Sequence, residues 1–289
     1  MEIESVDTMI AEKSLQTPNL EAKNPFELRL DQCRGVSESS VREALRTGDM
    51  GFLHSYTTGS TVDGPGVRVV GWTAGCQWRC LYCHNPDTWN MMNGIPVLLE
   101  RAVEGIRKYR HGLKTMHGGF TLSGGEPLMQ DRFAVKLLRA CKEMGVHTAI
   151  ETNGYLGSRL SDEEWDMIDL VLLGIKTWDR DKHLRLTGKD KANTLDLARR
   201  LAARKIPIWV RFVLVPGLTD DPADVAQIAT FAAELGNVER VEVLPFHQMG
   251  RFKWQRLGLD YALTDVAPPS PELIEWACDV FRAEGLQAF

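Results

Sequence analysis

The sequence predicts an α/β protein built on a largely parallel sheet. Six runs rich in aliphatic and β-branched residues follow one another along the chain, and helical patterns separate them. This alternation is typical of parallel strands joined by right-handed helical crossovers. Six strand–helix units are too few for a closed eight-stranded barrel, so we expect an open doubly wound sheet or an incomplete barrel.

The six predicted strands end in segments rich in glycine, cysteine or charged residues. They cover residues 66–74, 118–123, 147–152, 169–176, 206–215 and 240–246. In both candidate folds the active site lies at the carboxyl ends of the parallel strands. These endings are therefore where we expect the functional residues.

The predicted helices are recognised by apolar periodicity and by their end signals. Residues 97–109 place an apolar stripe on one helical face. Ser161 and Glu164 form a capping box, and Asp221-Pro222 and Ser270-Pro271 are typical helix starts. Further helices are expected from residue 131 to Gly145 and over residues 190–204.

The first fifty residues differ from the rest of the chain. Residues 1–50 are polar and weakly periodic, with one short helix expected from Ser40, capped by Glu43. We interpret them as an N-terminal extension and residues 51–289 as the main domain. Of the 289 residues, 44% are hydrophobic and 25% charged, which is enough for a large core.

Charge and composition exclude several classes of protein. The net charge of -5 gives no reason to expect a nucleic-acid partner. No apolar run approaches the roughly 18 residues needed to cross a bilayer. The acidic N-terminus lacks the apolar core of a signal peptide, and the six cysteines are too few and uneven for a disulfide framework. We therefore expect a cytoplasmic protein.

Three cysteines directly after the first predicted strand carry the clearest chemical signal. Cys76, Cys80 and Cys83 have the spacing C-x3-C-x2-C. A structural zinc site needs four ligands, and a four-iron cluster is usually held by four cysteines. Three local thiolates would leave one iron open to a non-protein ligand. A zinc site with His84 as a further ligand and a thioredoxin-like role for the last two cysteines are the weaker alternatives.

A glycine pair follows the next predicted strand. Gly124, Gly125 and Glu126 precede a proline. Two glycines at a strand end allow a ligand to approach the backbone closely, and the carboxylate could receive a cationic amino group. The motif also suits an ordinary turn, so its position one unit after the cysteines is what makes it informative.

At these motifs the chain resembles the radical S-adenosylmethionine (SAM) enzymes, and more closely the activases of glycyl radical enzymes. The resemblance runs from about Gly51 to Phe289. The matching segments are TVDGPGVR (61–68), GCQWRCLYCHNPDTW (75–89), TLSGGEPL (121–128), ETNGY (151–155), WVRFVLVPGLTDD (209–221) and VEVLPFHQMGRFKW (241–254).

The resemblance implies a fold and a reaction. The fold would be an incomplete (β/α)6 TIM-like barrel of the radical SAM type. Cys76, Cys80 and Cys83 would hold a [4Fe-4S] cluster whose open iron is chelated by SAM. After reduction by flavodoxin or ferredoxin, SAM cleavage would give a 5′-deoxyadenosyl radical that takes a hydrogen atom from a glycine of the partner protein.

The same resemblance implies a class of partner. The protein substrate would be pyruvate formate-lyase or another glycyl radical enzyme, and the activase would work as a monomer. Many activases of other glycyl radical enzymes carry cysteine-rich inserts, whereas only Cys141 and Cys278 follow Cys83 here. This favours pyruvate formate-lyase. A small-molecule substrate, as in carboxy-deazaguanine synthase, is the alternative within radical SAM chemistry.

By position, several residues would surround the bound SAM. Tyr82, Cys83 and His84 would border it, with Tyr82 near the adenine and His247 near the adenosine. The resemblance also implies contacts from Gly124, Gly125 and Glu126 to the methionyl amino group. Further contacts would come from Gly174, Ile175 and Lys176 at a strand end. Arg211 and Lys176 would supply positive charge near the methionyl carboxylate or ribose. Asp63 would face the glycine loop of the protein substrate.

Two positions depart from the family's pattern. The activases that the chain resembles carry aspartates where Glu151 and Gly174 stand, and those carboxylates help to hold a monovalent cation beside the SAM carboxylate. Glu151 keeps the charge on a longer side chain, whereas Gly174 removes a ligand. We therefore expect the cation to be bound weakly, or to be replaced by water or by another side chain.

Overall fold

The computed structural model describes residues 38–289 and centres on one eight-stranded sheet. The strands are β1 Met50–Ser60, β2 Arg68–Thr73, β3 Ile95–Leu98, β4 Gly119–Gly124, β5 His147–Thr152, β6 Leu170–Gly174, β7 Ile208–Leu214 and β8 Val238–Pro245. Their spatial order is β3-β1-β2-β4-β5-β6-β7-β8. β3 and β8 lie at opposite edges and do not pair with each other, so the sheet stays open.

Six strands, β2 and β4 to β8, form the parallel part of the sheet, and they coincide with the six predicted runs. The predicted incomplete barrel is thereby confirmed. Helices follow the parallel strands as crossovers. The carboxyl ends of all six strands therefore meet at one edge of the sheet.

The two remaining strands were not predicted. β1 pairs antiparallel with β2, and β3 pairs antiparallel with β1 through residues 50–53 and 95–98. The helix expected from residue 97 begins instead at Leu99, because Val97 and Leu98 are taken up by this pairing. Pairing across the sheet edge thus overrides the local helical pattern.

Residues 38–289 form ten α-helices, several of which pack on the outer side of the sheet and complete the main core. They are α1 Glu38–Thr47, α2 Leu99–Arg107, α3 Arg110–Thr115, α4 Asp131–Glu143, α5 Asp162–Trp165, α6 Arg180–Thr187, α7 Ala192–Ala203, α8 Pro222–Leu235, α9 Arg251–Arg256 and α10 Pro271–Ala283. The capping box of Ser161 and Glu164 is present, and Asp221 and Ser270 cap α8 and α10 as predicted.

The start of the described chain differs from its prediction. The helix expected from Ser40 begins at Glu38, and the Glu43 carboxylate accepts hydrogen bonds from Arg46, so the expected capping box is wrong. β1 begins at Met50, next to the predicted domain boundary at residue 50. The part of the predicted extension before residue 38 lies outside the described residues.

Successive side chains of the strands point to opposite faces of the sheet, so that one face is apolar and the other is more polar. Phe120, Leu122 and Ile150 are fully buried in the main core between sheet and helices. Their neighbours in the strands, Thr121 and Glu151 among them, point to the opposite side. The inner side of the sheet therefore carries polar groups towards the carboxyl ends of the strands. In residues 38–289 no helix combines the length and apolarity needed to span a bilayer.

Candidate active site

The cysteine loop, residues 75–83, leaves the end of β2 through a glycine. Gly75 has a φ of 95°, a backbone conformation that favours glycine. Its amide donates to the Thr88 carbonyl at 2.7 Å, and the Cys76 amide donates to the Trp89 carbonyl at 3.1 Å. The first cysteine is thus fixed by backbone hydrogen bonds to residues 88 and 89.

The rest of the cysteine loop is held by α6 and α9. The Arg79 amide donates to the Thr187 carbonyl at 2.8 Å, and the Leu81 amide donates to the Leu186 carbonyl at 3.0 Å. From the other side, the Trp254 indole donates to the Cys83 carbonyl at 2.8 Å. The loop backbone is therefore immobilised while its three thiols are left free.

The donor set of this loop fits an iron–sulfur cluster. Cys76, Cys80 and Cys83 form no disulfides and are half-buried. Burial raises the pKa of all three thiols, to about 12 for Cys83, so bound iron would be needed to keep them as thiolates. In residues 38–289 no three or more Cys, His, Asp or Glu side chains are placed to hold a single metal ion. A four-iron cluster instead gives each thiolate its own iron.

Buried polar atoms beside the thiols also indicate a missing ligand. Gln77 Oε1, Trp78 Nε1 and the Tyr82 hydroxyl are buried and have no hydrogen-bond partner in the described part of the chain. Buried polar groups are nearly always paired, so three orphans in one loop are unusual. Sequence reasoning predicted Tyr82 here but missed Gln77 and Trp78.

The glycine pair at the end of β4 lies directly against the cysteine loop. The Gly125 amide donates to the Thr73 carbonyl at 2.8 Å, and the Glu126 amide donates to the Gly75 carbonyl at 2.7 Å. A Cβ on Gly124 would lie 2.1 Å from the Thr73 nitrogen. The glycines therefore allow two strand ends to touch, and both remain partly exposed.

The Glu126 carboxylate has a different role from the one the sequence suggested. It is fully buried and accepts hydrogen bonds from the Leu128 amide at 3.0 Å, the Thr152 hydroxyl at 2.7 Å and the Asn153 amide at 2.8 Å. Burial raises its pKa to about 7 against the effect of these donors. In this structure the carboxylate ties the ends of β4 and β5 together and has no surface to offer to an amino group.

Further into the sheet, one guanidinium is shared by three carboxyl groups. Arg211 donates to Glu242 at 2.9 Å and to Glu151 at 2.8 Å, and it lies 3.5 Å from Asp63. It also donates to the Val62 carbonyl. Burial alone would lower the pKa of Arg211, but Glu151 and Glu242 raise it. We call Arg211, Glu151, Glu242 and Asp63 the carboxylate cluster.

Asp63 belongs to this cluster through its own loop. Its side chain is nearly buried and accepts from the Ser60 hydroxyl at 2.5 Å, while its carbonyl accepts from the Thr121 hydroxyl at 2.6 Å. Burial, followed by the charge of Glu151, raises the pKa of Asp63. Glu242 was missed in the sequence, although an acid between two valines of a predicted strand is a recognisable signal, since the valines face the core and the acid faces the other side.

Two of the predicted histidines come together beside the cysteine loop. The rings of His84 and His247 lie 4.0 Å apart, and His84 Nε2 is 3.2 Å from the His247 carbonyl. Gly250 permits this approach, since a Cβ there would lie 2.7 Å from the His84 Cα. Burial, and then His247, lower the pKa of His84.

Lys176, just beyond β6, completes this side of the site. Its ammonium lies 5.8 Å from the centre of the Tyr82 ring, within the range of a cation–π contact. Ile175 is buried in the core and Gly174 ends the strand. The structure thus brings the predicted residues together in two groups, one around the cysteine loop and one around Arg211.

Comparison with known proteins agrees with this arrangement. Residues 70–229 match the family model of the radical SAM superfamily. The chain is similar to the pyruvate formate-lyase-activating enzyme of Staphylococcus epidermidis, with 44% identity over 234 residues, 78% of this chain and 93% of that protein. It is 40% identical over 228 residues to the pyruvate formate-lyase 1-activating enzyme of Escherichia coli K12, again over 78% and 93%.

Solved structures agree in fold. A radical SAM methyltransferase from Sphaerobacter thermophilus superimposes with a TM-score of 0.57 at 16% identity, covering 91% of this chain and 75% of that one. The sequence matches are far closer and span nearly the full length of the bacterial enzymes. The chain therefore belongs to the radical SAM superfamily and, within it, to the family of pyruvate formate-lyase-activating enzymes.

Proposed function

We propose that this protein is an activase that generates a glycyl radical on pyruvate formate-lyase. The observation that carries the proposal is the cysteine loop, with three unbridged thiols next to buried polar atoms that lack partners. The relatives match over 93% of their length, which gives no support to a small-molecule substrate. Enzymes of this family use a [4Fe-4S] cluster and SAM.

Cys76, Cys80 and Cys83 would hold the cluster. When bound, the cluster supplies the electron for reductive cleavage of SAM to methionine and a 5′-deoxyadenosyl radical. The chain's own contribution would be to hold the three thiols on a hydrogen-bonded loop and so to orient the cluster. The hydrogen bonds from Trp254 and to Thr187 perform that task.

The residues around the loop would bind and orient SAM. The partly exposed backbone of Gly124 and Gly125 offers polar groups to the amino end of the ligand. The Lys176 ammonium lies over the Tyr82 ring of the cysteine loop, and it suits the methionyl carboxylate. Tyr82 and the stacked His84–His247 pair provide flat surfaces for the adenosine.

The carboxylate cluster would set the charge and shape of the inner cavity. Three carboxyl groups contact one guanidinium, and Glu242 also pairs with Arg240 at 3.4 Å. These acidic groups would suit the cationic sulfonium of SAM. Arg211 also pins the loop that carries Asp63 through the Val62 carbonyl. We propose that this loop, with Val62 exposed on it, meets the glycine segment of the protein substrate.

The remaining partners and the setting are also proposals. Residues 51–289 would form the catalytic domain, which would act as a monomer and receive its electron from flavodoxin or ferredoxin. The five described cysteines form no disulfides, which suits a reducing, cytoplasmic compartment.

Anaerobic reconstitution with iron and sulfide tests the chemistry. With SAM and dithionite, the protein should release 5′-deoxyadenosine and methionine in equal amounts, and omission of iron should abolish the products. A reconstituted protein that carries its cluster and yields no 5′-deoxyadenosine would contradict the proposed reaction.

A further inference from the structure

The end of β6 folds a lysine ammonium back onto its own strand. A Cβ built on Gly174 would lie 2.8 Å from Lys176 Nζ and 3.1 Å from its Cε, while the Thr152 carbonyl would be 3.7 Å away. Gly174 does not have a positive φ, so its backbone conformation does not require a glycine. The ammonium occupies the space that a side chain on residue 174 would take.

This ammonium has a carboxylate neighbour in Glu151 but makes no direct contact with it. In residues 38–289, Lys176 donates no hydrogen bond and forms no ion pair, although it is half-buried. The ammonium lies over the Tyr82 ring, 5.8 Å from the ring centre. Burying part of an ammonium without an acceptor is costly, so a carboxylate ligand would relieve the cost.

The same place is where the family resemblance implied a monovalent cation, and the residues present do not fit one. Gly174 supplies no side-chain oxygen. Both oxygens of Glu151 are engaged, one by Arg211 at 2.8 Å and the other by the Ser123 hydroxyl at 2.5 Å. The Lys176 charge already stabilises the ionised Glu151 carboxylate, and it would repel a second cation.

We infer that the Lys176 ammonium is a built-in cation that replaces a free monovalent metal ion in this site, and that Gly174 exists to make room for it. The inference rests on the proposed function, because the carboxylate to be held is that of SAM. The chain would therefore bind SAM without potassium or sodium. Gly174 and Lys176 form one functional pair, with glycine as the positioning residue.

The direct test needs no variant. SAM is titrated anaerobically into the reconstituted protein by calorimetry, once in potassium chloride and once in tetramethylammonium chloride at equal ionic strength. We expect the two Kd values to agree within about twofold. A Kd about tenfold weaker or more without potassium would overturn the inference. Absence of binding in both salts would instead refute SAM binding itself, and the inference with it.

A pair of glycine variants tests the positioning role. The backbone at Gly174 accepts alanine, so Gly174→Ala should fold, but its methyl group must push the ammonium aside. We expect its Kd for SAM to weaken about fivefold or more, as in Lys176→Met, with the circular dichroism spectrum unchanged. The control is Gly105→Ala, where an added Cβ meets nothing within 4 Å. Wild-type affinity in both Gly174→Ala and Lys176→Met would contradict the role of the pair.

Discussion

The cysteine loop and the carboxylate cluster are the two parts of the site, and they are built in opposite ways. In the loop, several backbone amides are hydrogen-bonded to neighbouring elements, but Gln77 Oε1, Trp78 Nε1 and the Tyr82 hydroxyl have no partner among residues 38–289. In the cluster, the Arg211 and Glu151 side chains are paired within the protein. The difference indicates that bound cofactors would complete the contacts of the loop, whereas the side chains of the cluster are already paired within the protein.

Loss of a cysteine should break the site completely. Replacement of Cys76, Cys80 or Cys83 by alanine removes one thiolate from a set that has no spare. We expect no stable cluster and no measurable 5′-deoxyadenosine, checked by iron content and chromatography. Cys141→Ala is the matched control, because that cysteine is buried in the main core and should leave the cluster intact. A cysteine-loop variant that still cleaves SAM would refute the ligand assignment.

Breaking the carboxylate cluster should affect stability most. Arg211→Met leaves the buried Glu242 and Asp63 and the half-buried Glu151 without their shared cation, which costs about 3–5 kcal/mol of unfolding free energy. Denaturant unfolding measures this loss. Arg199→Met, which removes an exposed ion pair with Asp196, should cost less than about 1 kcal/mol. Equal losses of unfolding free energy in the two variants would show that the carboxylate cluster does not stabilise the fold.

The Glu126 carboxylate links the two regions, and its removal should have an intermediate effect. In Glu126→Gln an amide NH2 would face one of the donors from Thr152 or Asn153, leaving a buried donor unpaired at a cost of about 1–3 kcal/mol. Unfolding in urea tests this. Glu104→Gln, at an exposed helical pair, should change stability by less than about 1 kcal/mol. An unchanged free energy of unfolding in Glu126→Gln would show that the hydrogen bonds from Thr152 and Asn153 to Glu126 do not stabilise the protein.

A smaller loss of stability is expected from a change at Asp87, four residues after the end of the cysteine loop. Asp87 accepts from Lys253 at 3.0 Å and from His54 at 3.2 Å, and although burial alone would raise its pKa, these partners lower it to about 2. A lowered folded-state pKa stabilises the protein above the unfolded value of 3.8, and this stabilisation is lost as the pH falls towards 2.

Asp87→Asn should therefore lose about 1–2 kcal/mol in urea unfolding near pH 6, and the difference from wild type should shrink near pH 3. The wild-type protein measured at the same two pH values is the reference. A difference that stays constant between these pH values would show that the contribution of Asp87 is not that of an ion pair.

The fold could be predicted to a large extent because the six parallel strands contain runs of aliphatic and β-branched residues that helical patterns separate. β1 and β3 were not predicted. Met50–Ser60 contains few apolar residues beyond Leu53, and this segment becomes a strand because it pairs across the sheet. Such pairing is a property of the assembled edge rather than of the local sequence.

The site was predicted unevenly for a related reason. Cys76, Cys80 and Cys83 lie within one motif, so their association is visible in the sequence. Glu242 meets Arg211 only because β7 and β8 are neighbours in the sheet. The burial of Glu126 was equally hidden, because its partners come from the end of another strand.

The most direct test of the central claim is electron paramagnetic resonance of pyruvate formate-lyase mixed anaerobically with this protein, SAM and a reductant. The account predicts a glycyl radical signal that depends on SAM and disappears in the cysteine-loop variants. A protein that cleaves SAM under these conditions, yet produces no glycyl radical on pyruvate formate-lyase, would contradict its assignment as the activase of that enzyme.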